Sequence, residues 1–329
     1  MILTLLTASV LAQEAPPIVN GSTTRDFDAV GALTMVYQGS YYSFCSGTLI
    51  HPDWVVTAAH CVDAAYDYYR QGVRVDFTLG YNVSTANGVD DSVKITDFLE
   101  HPDYSGNNQI QHDIGLLELK NSINDVDPMV LNVAAVNNSW KGLELDYVGF
   151  GITDDNKEDG GKKRTASIPI YDSDNQYVYG YDQVSNLCSG DSGGAAIRTY
   201  NDGSMTLVGV NSFVFGVQGS DPCDGGASGA TRIDTHMDWI EEIVPLDELE
   251  EEPEEEEEEE ETPGEDVNDP GEPGDSVDGL PERPSLGMEA VGGCSSTGPS
   301  PRWASAMLLA GAAILLRRKK SHFSPDNPA

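Results

Sequence analysis

Positive charge is the scarcest ingredient of this sequence: 18 lysines and arginines stand against 55 aspartates and glutamates in 329 residues, a net charge of −37. Binding to nucleic-acid phosphates needs clustered basic side chains, so nucleic acid is excluded as a partner. Long apolar runs are also missing. A helix that spans a bilayer needs about 20 apolar residues in succession, and no stretch of the chain supplies them. Helical periodicity is rare as well, and only Thr235 to Ile243 reads convincingly as a helix. What remains is an all-β pattern. Short alternating runs at Leu33 to Tyr37, Val73 to Leu79, Val130 to Val136 and Met205 to Phe215 are separated by Gly, Asn and Asp turns. That pattern suits a pair of β-barrels.

The charge is unevenly placed. Residues 245–293 have a net charge of −20, with unbroken glutamate from Glu254 to Glu261, whereas residues 294–329 have a net charge of +4. The acidic stretch mixes Pro, Gly, Asp and Glu with few aromatics and cannot bury enough surface to fold, so it reads as a self-repelling disordered linker. Met1 to Ala12 is apolar and ends in small residues suited to signal-peptidase cleavage, which predicts a signal peptide over 1–12 and an exported protein. The folded unit then spans 18–244, behind a five-residue propeptide at 13–17.

The chemistry centres on Asn186-Leu-Cys-Ser-Gly-Asp-Ser-Gly-Gly194. A serine hydroxyl attacks a carbonyl only if a base takes its proton and N–H groups hold the resulting oxyanion. Gly190, Gly193 and Gly194 let the backbone turn tightly around Ser192 and bring its N–H groups close to a substrate. The base should be a histidine held by a buried acid. Trp54-Val-Val-Thr-Ala-Ala-His-Cys61 reads as a buried strand running into a turn that ends on His60. Asp113 heads the alternating strand Asp113-Ile-Gly-Leu-Leu-Glu-Leu119.

Taken together, in the order His, Asp, Ser, these motifs resemble the trypsin/chymotrypsin family of serine endopeptidases. Ile18-Val-Asn-Gly21 is similar to that family's mature N-terminus, Cys45-Ser-Gly-Thr-Leu49 and Thr57-Ala-Ala-His-Cys61 to its histidine region, and Gly149-Phe-Gly151 to its Gly-Trp-Gly. Thr231 to Ile240 resembles its closing strand and helix, so the resemblance covers Ile18 to Val244. It implies two packed six-stranded antiparallel β-barrels with a C-terminal helix and a barrel boundary near Ser122 to Lys141. His60 is then general base and acid, Asp113 orients it, Ser192 forms the acyl-enzyme, and the N–H groups of Gly190 and Ser192 make the oxyanion hole. The resemblance pairs Cys45 with Cys61 and Cys188 with Cys223, leaving Cys294 over. It makes Asn186 the floor of the substrate pocket, with Ser212, Val214 and Ser228 in its walls. A neutral amide at the floor and a branched side chain at Val214 imply small or medium neutral side chains before the scissile bond. It also implies activation by freeing the Ile18 amine to pair with Asp191, although the bond to be cut, Pro17-Ile18, lacks the usual Arg or Lys. Before that cut, Asp191 should lie elsewhere and leave the Gly190 N–H misaligned.

The mechanism requires no metal and no organic cofactor. Asp154-Asp-Asn-Lys-Glu-Asp-Gly160 lacks the ligand spacing of an EF-hand and reads as a solvated loop. Tyr171 to Asp182 is tyrosine-rich and reads as strand and loop packing. Asn20, Asn82 and Asn137 form glycosylation sequons. Beyond the linker, Gly292-Gly-Cys-Ser-Ser296 precedes an apolar run, 303–316, and a basic cluster, 317–320. This layout resembles bacterial C-terminal sorting signals of the Gly-Gly or myxobacterial Cys-containing type; a plain tail anchor is the alternative. The expectation is a monomeric exported serine endopeptidase, acting on protein or peptide substrates and held at or released from a cell surface by sorting machinery or the membrane. A catalytically silent surface binding protein on the same fold is the rival from another class.

Overall fold

The structure, a computed structural model, describes residues 18–106, 109–154 and 157–249. The expected signal peptide, the propeptide, nearly all of the acidic linker, and the segment 294–329 with Cys294 lie outside the described residues.

A two-residue strand, β1 (Ser22–Thr23), is followed by six strands: β2 (Val30–Tyr37), β3 (Ser40–His51), β4 (Trp54–Thr57), β5 (Arg74–Gly80), β6 (Val89–Glu100) and β7 (Gly115–Leu119). These six close into an antiparallel barrel in the order β2-β3-β4-β7-β6-β5. A second group follows the connection 120–143: β8 (Glu144–Gly149), β9 (Arg164–Ser173), β10 (Tyr177–Tyr181), β11 (Ala195–Thr199), β12 (Met205–Phe215) and β13 (Ala227–Arg232). They run β9-β10-β13-β12-β11-β8, and pairing of β8 with β9 closes this ring too, with β1 attached outside on β9. The alternation in the sequence explains both rings. Strands such as β2 and β5 bury their apolar side chains, among them Leu33, Val75, Phe77 and Leu79, in a shared interior. Ile18, Leu145, Tyr147, Ile168 and Val208 belong to the core of the second barrel.

Three local expectations differ from the structure. His60 does not end a turn: it lies in the first turn of a twelve-residue helix, α1 (Ala59–Arg70). Ala59, Cys61, Val62 and Ala65 form its buried face, but Tyr66 and Tyr69 on the outer face blur the stripe, stacking on each other and on Phe98 of β6. The run Val130 to Val136 is not a strand. Leu131 makes a single parallel bridge to Leu207 of β12, with Leu207 N–H donating to Val130 O and Asn132 N–H to Leu207 O, but the pairing extends no further, and Val130 and Val133 face solvent. The final helix, α2 (Met237–Ile243), starts two residues later than Thr235, and a 3₁₀ turn at Leu246–Leu249 carries folded chain past Val244, with Leu246 against the first core. Among the described residues, no helix is long and apolar enough to cross a membrane.

Candidate active site

β4 is a short buried strand, and its end at Thr57 delivers the chain directly into α1. The backbone N–H groups of a first helical turn lack partners within the helix and favour an anion. Asp113 takes this place. The His60 N–H donates to Asp113 Oδ1 at 3.0 Å, and His60 Nδ1 lies 2.8 Å from Asp113 Oδ2. Gly115, two residues on, makes the approach possible, since a Cβ there would strike Val62 of α1 and the Leu99 carbonyl. The disulfide between Cys45 of β3 and Cys61 ties the same turn to the barrel.

The carboxylate is fully buried, yet it also accepts a hydrogen bond from Ser212 Oγ of the second barrel, and Thr231 Oγ1 donates to its backbone carbonyl at 2.9 Å. Burial pushes the Asp113 carboxyl up, but the charge of His60 and the hydrogen bonds from His60 and Ser212 outweigh it and hold the group below its usual range. Burial likewise pushes His60 down, and the charge and hydrogen bond of Asp113, aided by Asp63, more than reverse this, so the imidazole titrates above its ordinary value. Asp113, itself held by Ser212 of the second barrel, thus fixes the ring orientation and the tautomer of His60.

The glycine-rich loop sits against the opposite side of the same junction. Gly193, at φ +78°, is packed so closely on Thr57 and Ser46 of the first barrel that no side chain fits there. Ser46 uses every polar atom it has at this contact. Its N–H donates to Ser192 O at 2.8 Å, its hydroxyl donates to Gly190 O at 2.9 Å and accepts from Phe150 N–H at 3.0 Å, and its carbonyl accepts from Thr57 Oγ1 at 2.7 Å. Behind the loop, Gly193 N–H donates to Asn211 O at 2.7 Å and Asn211 N–H to Gly194 O at 2.8 Å. The Cys188–Cys223 disulfide braces its start. The N–H groups of Gly190 and Ser192 donate to no described residue, and the Ser192 hydroxyl makes no hydrogen bond among the described residues. Ser46 carried no signal in the sequence, because a serine between a cysteine and a glycine is indistinguishable from a strand residue until its partners are placed.

Asp191 was expected to lie elsewhere before the Pro17-Ile18 bond is cut; in the uncut chain it is buried within this loop, where hydrogen bonds from Gly151 N–H at 2.7 Å and Cys188 N–H at 3.0 Å replace its water. Burial raises its carboxyl to about 6, against the lowering effect of those bonds and of the Arg164 charge. Gly149 and Gly151 leave the room it occupies. Ile18 is fully buried in the second core, and Val19 bridges to Asn186. Asn186 is itself buried. Its side-chain N–H donates to Pro222 O at 2.6 Å while its Oδ1 has no partner. Val214 and Ser228 face each other across β12 and β13, with Ser228 fully buried. Ser212 was expected in the pocket wall, and its hydroxyl is spent on Asp113. Of the other clusters, the loop from Thr153 is tied inward by Asp159, which accepts from Thr153 N–H and Oγ1 at 3.0 and 2.8 Å. Tyr171, Tyr177, Tyr179 and Tyr181 pack on one another and, through Tyr177 and Tyr179, on Phe213 beside Ser212.

Known proteins are similar to this chain. Chymotrypsin-like elastase family member 1 of Canis lupus familiaris is 28% identical over 253 residues, covering 69% of this chain and 92% of the relative. The Homo sapiens member is 29% identical, covering 63% and 83%. Trypsin-1 of Salmo salar is 28% identical, covering 60% and 82%. Among solved structures, neuropsin, a serine protease expressed in the limbic system of mouse brain, superposes with a TM-score of 0.53 at 24% identity, covering 68% of this chain and 97% of that one, which supports the fold. The family model described as Trypsin matches residues 18–240. With both barrels closed and more than half its length matched, the chain belongs to the trypsin family of serine peptidases.

Proposed function

We propose that this protein is an exported serine endopeptidase whose triad is Ser192, His60 and Asp113. The observation that carries the reading is the buried Asp113–His60 pair, set at the barrel junction against a glycine loop that holds two unused N–H groups beside a serine. Asp113 occupies Nδ1 of His60, so Nε2 is the nitrogen left to take the Ser192 proton. Ser192 Oγ then bonds to the substrate carbonyl carbon, and the oxyanion is received by the N–H groups of Gly190 and Ser192. His60 passes the proton to the departing amine, which leaves an acyl-enzyme. Water repeats the sequence to free the acid. Catalytic hydrogen bonds to the nucleophile commonly tighten only with substrate in place, consistent with an unbonded Ser192 hydroxyl.

Small or medium neutral side chains are the proposed preference before the cut. Asn186 offers no charge, and Val214 narrows the space across from Ser228. The elastase names of several relatives agree with this preference. Two disulfides fit an oxidising compartment, and the Gly-Gly-Cys tail is proposed as a surface-sorting signal acting after export. The test is labelling by an active-site serine reagent together with peptide hydrolysis. Wild type should label and cleave Ala or Val peptides better than matched Arg or Lys peptides, whereas Ser192→Ala should do neither. An unlabelled wild type with intact fold would leave the surface-binding reading in its place. Terminal sequencing of the cell-derived protein, with its intact mass, checks the sorting proposal.

A further inference from the structure

Three histidines from separate parts of the chain meet beside Asp113: His101 just after β6, His112 immediately before Asp113, and His236 at the start of α2. His112 Nδ1 lies 3.1 Å from His236 Nε2. The His101 and His112 rings stack with centroids 4.8 Å apart, and His101 meets His236 edge-on at 5.2 Å. One ligand nitrogen from each lies within 4.8 Å of the other two. Tetrahedral zinc, with Zn–N bonds of about 2.0–2.1 Å, holds its nitrogens about 3.3 Å apart. The His112–His236 pair, at 3.1 Å, is close to that spacing, and His101, stacked nearly parallel on His112, must turn its ring to aim its lone pair at the same centre.

The outer contacts suit ligation. His236 Nδ1 lies 2.7 Å from Arg232 O, which fixes the proton on Nδ1 and leaves the Nε2 lone pair facing His112. His112 Nε2 faces the Gln176 amide nitrogen at 3.4 Å, and the Gln176 Oε1 accepts from the His112 backbone N–H at 3.0 Å, so freeing His112 Nδ1 moves its proton to Nε2 and requires the Gln176 side chain to turn away. His101 Nδ1 accepts from Asp103 N–H at 3.2 Å, so ligation through Nε2, which moves the proton to Nδ1, replaces that bond. His112 sits at φ +48°, a left-handed conformation uncommon for a residue with a side chain and typical of functional positions. His236 is buried, while His101 and His112 are only partly so, which gives an ion a way in.

The donor set names the ligand class. Three imidazoles without a carboxylate do not suit calcium or magnesium, which take oxygen ligands, and do suit zinc, copper and nickel. The other grouping of this kind, Cys45, Cys61 and His60, has both sulfurs in a disulfide and offers no thiolate.

We propose that His101, His112 and His236 form a site for a divalent transition-metal ion of the zinc class, and that filling it slows peptide hydrolysis. The coupling is short. Asp113 follows His112 directly, Ile114 N–H closes on His112 O at 2.8 Å, and Thr231 holds the Asp113 carbonyl one residue from Arg232, the partner of His236. An ion that draws the three rings together displaces the backbone that carries Asp113. The inhibitory half of this proposal rests on the peptidase reading, and the binding half does not.

The experiment titrates the full chain with zinc chloride in chelator-treated buffer, by calorimetry, beside His101→Gln and His236→Gln. The acidic linker and Cys294 are common to all three, so the difference between them reads the site. Wild type should bind one equivalent that each variant binds at least about tenfold more weakly, the loss already typical when only a supporting partner of a metal-bound histidine is removed. His101→Gln, altering a partly exposed ring, should keep the fold, as circular dichroism checks. With copper(II) in place of zinc, electron paramagnetic resonance should show nitrogen hyperfine structure that the variants lose. Identical titrations in wild type and both variants overturn the site. After release of Ile18, zinc should lower kcat/KM of wild type reversibly and leave His101→Gln unaffected. Binding without inhibition overturns the coupling, whereas a wild type that cleaves no peptide before zinc is added counts against the peptidase reading and leaves the binding measured by calorimetry standing.

Discussion

A carboxylate without solvent contact stays ionised only when donors and positive charge replace its water, and Asp113 is supplied by His60 and Ser212 from two different barrels. The same pairing raises His60, so the general base becomes neutral, and kcat/KM should climb, as pH passes a value above the ordinary histidine one. Asp113→Asn should move that midpoint down and lower kcat by roughly four orders of magnitude, as loss of the acid does in this mechanism. A pH–rate profile of both proteins checks the sign; an unmoved midpoint would separate His60 from the activity. Ser46 invites a second test. Ser46→Ala leaves Gly190 O and Phe150 N–H without their buried partner, so it should cost about 1–3 kcal/mol in urea unfolding and, if Gly190 carries part of the oxyanion hole as proposed, lower kcat more than it raises KM. His60, Asp113 and Ser192 could be named from their motifs as the proposed triad, and the structure pairs His60 with Asp113. Ser46, and the use of the Ser212 hydroxyl, were not, since a hydroxyl's role depends on which atoms of a distant strand stand within hydrogen-bond reach of it.

Among the elements, the strands of both barrels were legible wherever apolar residues alternate between two neighbours, as in β2, β5 and β12. The alternation misled at Val130 to Val136, where periodicity was present but pairing with β12 is limited to one bridge at Leu131. α1 was missed for the opposite reason: tyrosines on its solvent face obscure the 3.6-residue stripe. That helix has a functional consequence, because its first turn supplies the N–H that meets Asp113. The nucleophile loop meets the first barrel at Gly193, where a methyl group has no space and the backbone is left-handed. Gly193→Ala should therefore abolish peptide hydrolysis, while Gly203→Ala, also left-handed but in open space, should cost only stability. Rates and melting temperatures of the pair discriminate a lost fit from general backbone strain.

At the scale of the whole molecule, the proposed activation links the N-terminus to the site through Ile18 and Asp191. With the chain uncut, burial holds the Asp191 carboxyl at about 6 against 3.8 when unfolded. A folded-state pKa raised in this way gives stability that is complete below the unfolded value and lost as pH rises through the folded one, about 3 kcal/mol between pH 4 and 6. Freeing the Ile18 amine provides a cation that should relieve this loss. The form beginning at Ile18 should then hold its melting temperature from pH 4 to 7 better than the form beginning at Gln13, and should be the faster on one peptide; Asp113 and His60 titrate in both and cancel. At high pH the advantage should vanish, as the amine passes its own raised pKa. Equal activity and equal pH dependence in the two forms would rule the switch out. The sequence by itself determined the family, the all-β class, the triad candidates and the separate character of the acidic tail, because these reside in local motifs, alternation and charge. Only the tertiary structure decided which hydroxyls serve Asp113 and Gly190, why Gly193 tolerates no side chain, and that residues 101, 112 and 236 meet. Those facts are distances between segments far apart in the chain, and they exist only once two closed barrels bring them together.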